Sequence, residues 1–415
     1  MTFRTVFRHK PFAIMWVGRL LNHNATLMQS VAIGWSVYTL ARLTYDEPTS
    51  MFLVGMIGLA QFVPMFVLAL FAGEMADRYD RRKILFCCGM LQTVCAGLFT
   101  FLSLQPHPSL TSIFVVAGVF GIARAFAMPA GQSLLPALVP PDVLPKAIAW
   151  NTLAVQSGMV LGPWIGGVLC AMNPTYANGA ACGCYVLSSV TGVLLLRLPI
   201  KAKPNHNGSS RLTMIRDGLI HLRDSKIVLG AISLDMVAVL LGGVTALLPA
   251  YAKDVLDIGP EGFGDLRSAF ALGGGAMTLA LALNPIKRYA GKWMLGGVIL
   301  YGGATLLFAY SRNANFSMLM LAIAGAADSI SVFVRQSLVQ IVTPDAMRGR
   351  VSAVSGLFIS ASNELGEFES GVAARLLGVV GSAAFGGVGS ILVTGMWARL
   401  FPALRKVDRL EAPER

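Results

Sequence analysis

Predominantly apolar stretches of about twenty or more residues recur twelve times along this chain, separated by short polar connections. They cover 12–41, 50–75, 83–104, 110–136, 144–172, 177–198, 226–252, 263–286, 291–311, 315–342, 350–378 and 380–401. Crossing a hydrocarbon layer roughly 30 Å thick takes about 20 helical residues, so each stretch predicts a membrane-spanning helix. A closed barrel is excluded, because its strands would alternate polar with apolar positions instead of running apolar throughout. Lipid offers the backbone no hydrogen-bond partners, which leaves an all-helical bundle. The first and eleventh stretches exceed the bilayer and must tilt, bend or protrude.

Composition agrees with that pattern. Of 415 residues, 55% are apolar and only 13% charged. An ordinary soluble domain carries roughly 25% charge. The 44 glycines suit close helix packing in lipid. The apolar stretch nearest the N-terminus contains Arg19 and His23 and lacks a small-residue cleavage site, so it reads as a retained span and not as a cleaved signal. Arg4, Arg8 and Lys10 before it read as a cytoplasmic retention signal.

Charge sets an orientation. With the N-terminus inside, about 25 Lys and Arg fall in cytoplasmic segments. Four fall in outer loops (Arg42, Lys253, Arg267, Arg312) and four in spans (Arg19, Arg124, Arg335, Arg375). This asymmetry predicts a bacterial-type inner-membrane protein with both termini cytoplasmic, and it accounts for the net charge of +12 without nucleic acid. Basic loops in that position contact anionic lipid. The cysteines (Cys87, Cys88, Cys95, Cys170, Cys182, Cys184) mostly lie in spans and read as small buried residues. Cys182 and Cys184 are wrongly spaced for a zinc site and no His-rich partner is near, so no metal or cofactor is expected.

The longest polar connection, 199–225, divides the chain into a six-helix half at 1–198 and another at 226–402, with a cytoplasmic tail at 403–415. The halves repeat one plan. Gln132-Ser133-Leu134 returns as Gln336-Ser337-Leu338, and Pro140 returns as Pro344, each 204 residues later. Leu161-Gly162-Pro163 and Gly167 return as Leu365-Gly366-Glu367 and Gly371 at the same offset. An even number of spans per half makes the repeats parallel.

Three motifs carry a resemblance. Gly73-Glu74-Met75-Ala76-Asp77-Arg78-Tyr79-Asp80-Arg81-Arg82-Lys83 follows the second span. Gly158-x-x-x-Gly162-Pro163-x-x-Gly166-Gly167 lies in the fifth; its four-residue spacing puts Gly158, Gly162 and Gly166 on one face, and Pro163 bends the helix. Pro344-Asp345-x-x-Arg348-Gly349-Arg350-Val351 opens the eleventh. Together they resemble the major facilitator superfamily: its loop between spans two and three, its exporter-associated fifth-span motif, and the branch of enterobactin exporters and drug–proton antiporters. Ala154 replaces a further upstream glycine of the exporter motif, and the loop 284–292 keeps only Lys287, Arg288 and Lys292 of the second-half counterpart. The resemblance implies twelve helices in two pseudo-symmetric six-helix bundles, secondary transport by alternating access, and a central pathway lined by spans one, four, seven and ten. It makes Gly73, Asp77, Arg78, Arg81, Arg82, Arg348 and Arg350 a gating motif, with Asp77 expected near Arg348 or Arg350.

Buried charge is expensive, at least about 2.5 kcal/mol per group at mid-bilayer, so each intramembrane charge needs a role. On the pathway spans, substrate contact is expected from Arg19, His23, Arg124, Asp235, Asp328 and Arg335. Asp235 and Arg335 are candidates for an ion pair, and Asp328 shares a helix face with Arg335. Asn22 and Asn24 add polar contacts beside His23, and Arg375 is expected to snorkel. Glu364 and Glu367 share one face and form the candidate proton-coupling pair, with Asp235 and Asp328 as rivals; Glu369 points to a different contact. Each buried charge also has a plainer reading, a lock between helices.

Neither a phosphate-cradling loop with Gly-Lys-Ser/Thr nor a nucleophile–base arrangement occurs, so the chain is read as a transporter driven by a gradient and not as an enzyme. The reading is a proton-coupled exporter of a small organic, anionic, siderophore- or drug-like solute, working as a monomer. An importer of a siderophore or carboxylate on the same fold, and a membrane sensor that no longer transports, remain as alternatives.

Overall fold

The computed structural model describes residues 4–106, 108–198 and 211–408; the side chains of 4, 5, 70, 77, 211–215, 345, 346, 348 and 353 lie outside that description. The helices in chain order are α1 (Arg4–Phe7), α2 (Lys10–Ala41), α3 (Glu47–Arg78), α4 (Arg81–Ser103), α5 (Leu110–Leu134), α6 (Leu144–Met172), α7 (Pro174–Leu196) and α8 (Arg211–Asp224). They continue as α9 (Lys226–Leu241), α10 (Val244–Ala250), α11 (Gly259–Leu283), α12 (Ala290–Ala309), α13 (Ala314–Val342), α14 (Asp345–Leu400) and α15 (Pro402–Arg405).

Among the described residues, ten helices are long and apolar enough to cross a membrane. Two more spans complete the expected twelve. One is α2, whose 32 residues extend about 48 Å. The other is the second limb of α14, which breaks at Gly378 (φ 74°, ψ 169°). Only glycine adopts that conformation freely, so the chain turns there within an otherwise apolar run.

Polar caps mark several helix starts. Asp80 accepts from the Arg82 amide, Asn173 from Thr175 and Asn313 from Phe316. Pro64, Pro129 and Pro163 lie inside α3, α5 and α6. The seventh span is interrupted: α9 ends at Leu241 with Gly242 as its C-cap, and α10 resumes at Val244 before a π-helical turn over Tyr251–Val255.

The chain forms two compact units. Unit 1 holds 1–43, 60–208 and 259–268; unit 2 holds 44–59, 209–258 and 269–415. In unit 1 the start of α2 is anchored by the edge-to-face rings of Phe7, Trp16 and Trp150, and the Trp16 indole donates to the Trp150 carbonyl at 2.7 Å. The first turns of α11 pack on α6 there: a Cβ on Gly167 would lie 2.8 Å from Gly264 Cα, and Ser268 Oγ donates to the Val160 carbonyl. In unit 2 the start of α3 lies against α14, where Gly55 and Gly371 meet backbone to backbone.

The polar connection at 199–225 contains a helix that its composition conceals; 199–210 lies outside the described residues. In unit 2, α8 buries Leu222 with Val228, Ile232, Val339, Val351 and Val354. In the tail expected at 403–415, residues to 408 are described, and Val407 and Asp408 accept from the Gly291 and Ala290 amides. Among the cysteines, Cys88, Cys95 and Cys170 are buried as expected and Cys182 and Cys184 partly so. Cys87 corrects the expectation, since it is exposed.

Candidate functional site

Unit 1 gathers basic side chains. Arg19, Asn22 and His23 stand at three- and four-residue spacing on α2, hence on one face. Arg19 Nη1 donates to the Gly131 carbonyl of α5 at 3.4 Å. Arg124 Nη1 donates to Gln61 Oε1 of α3 at 2.9 Å. Asn22 Nδ2 donates to Gln92 Oε1 of α4 at 2.8 Å. His23 has Arg19 and Arg124 as electrostatic neighbours. Asn24 turns back onto its own helix and donates to the Leu20 carbonyl.

The glycines of the bend motif let α6 approach α2 behind His23. A Cβ on Gly158 would lie 3.1 Å from the His23 carbonyl carbon, one on Gly162 would meet Leu27, and one on Gly166 would lie 2.9 Å from the Met28 carbonyl oxygen. Pro163, one residue on from Gly162, offers its carbonyl to the close approach of Gly264. The predicted helix face is therefore a packing face that fixes the height of His23.

Unit 2 gathers acids. Asp235 on α9 and Arg335 on α13 form an ion pair, Oδ2 to Nη1 at 3.2 Å, with only 4% and 2% of the two residues exposed. The contact is charge to charge and not a fork, since Arg335 Nε and Nη1 lack aligned hydrogen-bond acceptors. Asp328, two turns earlier on α13, has Asp235 and Arg335 as electrostatic neighbours. Tyr301 of α12 stands beside Asp328 and donates its hydroxyl to the Gly242 carbonyl, at the break between α9 and α10. That break fits tightly: a Cβ on Gly243 would lie 2.5 Å from the Gly366 carbonyl oxygen.

The Glu367 side chain of α14 faces α3: a Cβ on Gly58 would lie 3.1 Å from its Oε2, while Glu364 meets the same glycine through its backbone carbonyl oxygen, at 3.2 Å. Glu369 takes a separate contact with Ser370, and its Oε2 is buried without a hydrogen-bond partner among the described residues. Arg375 is exposed, with its guanidinium 5.1 Å from the Phe52 ring centroid.

The loop motif does more than hold a side of the membrane. Arg81 donates to the Ser133 carbonyl at 2.9 Å, near the C-terminus of α5. Arg82 pairs with Asp80 and donates to the Leu198 carbonyl at 2.7 Å, just past the C-terminus of α7. Two cations thus cap the negative ends of two helices. Gly73 is buried, and Arg78 makes an exposed pair with Glu74. The side chains of Asp77 and Arg348 lie outside the described residues, as does their expected contact. Arg350 is held by Asp217 of α8, 3.0 Å away, a partner that sequence spacing did not suggest. Gln61, Gln92 and Tyr301 were also missed; a glutamine inside an apolar run was the available signal for the first two.

A sequence profile described as transmembrane secretion effector matches residues 2–414. The chain is 27% identical over 391 residues to the enterobactin exporter EntS of Escherichia coli O1:K1, covering 92% of this chain and 86% of that one. It is 28% identical over 389 residues, with the same coverage, to the enterobactin exporter EntS of Shigella boydii serotype 18. Its fold is similar to the crystal structure of a D-xylose–proton symporter, with a TM-score of 0.74 at 13% identity, over 97% of this chain and all of the other.

Proposed function

This chain belongs to the transmembrane secretion effector family of the major facilitator superfamily, and on that premise we propose that it is a proton-coupled exporter of a small organic anion, siderophore-like or drug-like. It is a multi-pass membrane transporter; the proposal further places it in a bacterial inner membrane with both termini in the cytoplasm. Export is supported by the likeness to enterobactin exporters.

The observation that carries the reading is the separation of charge. Arg19, His23 and Arg124 are grouped in unit 1 with neutral oxygens orienting both guanidiniums. Guanidinium forks match the paired oxygens of a carboxylate, so this group is assigned to the solute. Asp235 and Asp328 share a single guanidinium, Arg335, in unit 2. That group holds one more negative charge than positive, and a proton on Asp328 would balance it. Protonation favours one conformation by no more than its differential free energy between the two. A second carrier, Glu367 with Glu364 three residues before it, is supported by the position of the Glu367 carboxylate against Gly58, where a change of charge would bear on the α3–α14 contact.

The test is flux in proteoliposomes, in both directions, with an imposed pH gradient and labelled enterobactin as probe. Uphill movement driven by the gradient is expected. Asp328→Asn or Glu367→Gln should abolish it while downhill exchange continues. Arg124→Gln should raise the apparent Kd for anionic solutes most. Gradient-driven accumulation surviving in all of Asp235→Asn, Asp328→Asn, Glu364→Gln and Glu367→Gln would remove carboxyl coupling from the mechanism. An equal loss of affinity for neutral and cationic solutes would make the arginines structural.

A further inference from the structure

A cleft of about 400 Å³ opens on the outside of unit 2, at the start of α12, lined by Tyr289, Lys292, Trp293, Gly296, Leu300 and Ile330. It is not among the groups assigned above to solute or proton. Its rim is cationic and aromatic: Lys292 Nζ stands 4.8 Å from the Tyr289 ring centroid, the Arg288 guanidinium 5.3 Å from the same ring, and Trp293 is half exposed. Its floor is apolar and runs along the helix from Gly296 to Leu300, with Ile330 of α13 as the side wall. The neighbouring Ile299, Leu300 and Leu307 are exposed, which marks this flank of α12 as facing lipid.

Gly296 makes the cleft. A Cβ there would meet nothing within 4 Å, so no neighbouring helix requires a glycine; the missing side chain simply leaves room. The backbone amides at the start of α12 are already occupied, since Ala290 and Gly291 donate to Asp408 and Val407 of the tail. Asp408 also lies 3.7 Å from Arg288, which leaves Lys292 as the cation best placed over the cleft.

We propose that this cleft binds an anionic phospholipid of the adjoining leaflet, its phosphate at Lys292, its glycerol level with Trp293 and one acyl chain along Gly296 and Leu300. The charge pattern chooses the occupant. A cation and amphipathic rings at the membrane edge, above an apolar trough of one helix turn and more, match a negative head joined to a hydrocarbon tail. A water-soluble anion would gain nothing from the floor, and a zwitterionic lipid brings its own cation beside the phosphate, which weakens its attraction to Lys292.

Trp293 supplies the readout. The protein is placed in vesicles of phosphatidylcholine containing brominated phosphatidylglycerol or, at equal mole fraction, brominated phosphatidylcholine. The Trp293 signal is the difference in quenching between wild type and Trp293→Phe. Phosphatidylglycerol should quench it with about fivefold higher apparent affinity, the worth of one basic side chain at an anionic surface. Lys292→Gln should erase that preference and Lys292→Arg should keep it. Gly296→Leu fills the trough and should weaken quenching by both lipids. Equal quenching of wild type by the two lipids, or a preference that survives Lys292→Gln, overturns the proposal. With Trp293→Phe to define the signal, the wild-type comparison decides even if Lys292→Gln or Gly296→Leu fails to fold.

Discussion

Asp235 and Arg335 illustrate how costly an isolated charge is inside this protein. Each is almost wholly enclosed, and each is the other's counter-ion. Removing Arg335 leaves Asp235 buried and uncompensated, a loss of about 3–5 kcal/mol, whereas removing Asp235 still leaves Arg335 with Asp328 as a neighbouring acid. Arg335→Gln is therefore expected to lower the thermal midpoint of purified protein well below that of Arg335→Gln combined with Asp235→Asn. Finding the single variant as stable as wild type would show that the pair is not a lock. Asp80 is a milder case outside the spans. Hydrogen bonds from the Arg82 side chain hold its carboxyl below the ordinary value of 3.8, with the Arg82 amide adding to the effect. A depressed carboxyl stabilises the fold above its unfolded value and ceases to do so as pH falls through the lower, folded value. Asp80→Ala should thus cost about 1 kcal/mol, screening by solvent keeping it modest, and the cost should be flat from about pH 5 to 8. The gap to wild type should close only below 3.8; a gap that varies across the neutral range would assign the cap to another group.

Along single helices, glycines with the same sequence signature have opposite consequences. Gly166 faces the Met28 backbone, where a Cβ would lie 2.9 Å from the carbonyl oxygen. Gly183 faces open space. Gly166→Ala forces α6 away from α2 and should cost roughly 1–3 kcal/mol. Gly183→Ala adds helix propensity without a clash and should be neutral or stabilising by up to about 1 kcal/mol. Thermal unfolding of both variants checks this, and equal effects would remove the distinction. The fifth-span motif is legible as a face from its spacing, but which helix it meets is not, because periodicity gives a direction around one axis only. The same limit explains α8: its residues are too polar to register as a span, and only the apolar pocket around Leu222 shows that 211–224 folds onto α9 and α14.

For the whole protein, the side on which each loop lies follows from the basic residues. The proposed orientation expects a phosphatase fused within the 199–225 connection to be inactive, and one fused after Asp257, between α10 and α11, to be active. Reversed activities would invert the topology and with it the direction of transport assigned above. Such a reversal would leave the helices unchanged, since their apolar runs do not depend on orientation.

Span number, span boundaries and membership of the superfamily were written in the order of residues, because hydrophobic length and the loop motifs are local properties. The break of α14 fell at the expected position for the same reason, with Gly378 supplying the conformation. Candidate charges were also legible, since any ionised group in an apolar run stands out. Of their partners, matched depth suggests only Arg335 with Asp235. That Arg124 meets Gln61, that Arg350 meets Asp217 and that Tyr301 meets the broken end of α9 are decisions of packing between helices far apart in the chain. The seventh span was read as one helix because Gly242 and Gly243 are tolerated within helices in lipid; only their fit against Gly366 and Tyr301 makes them a break. Sequence records which residues are costly to bury, whereas the neighbours that offset the cost are chosen when the helices close on one another.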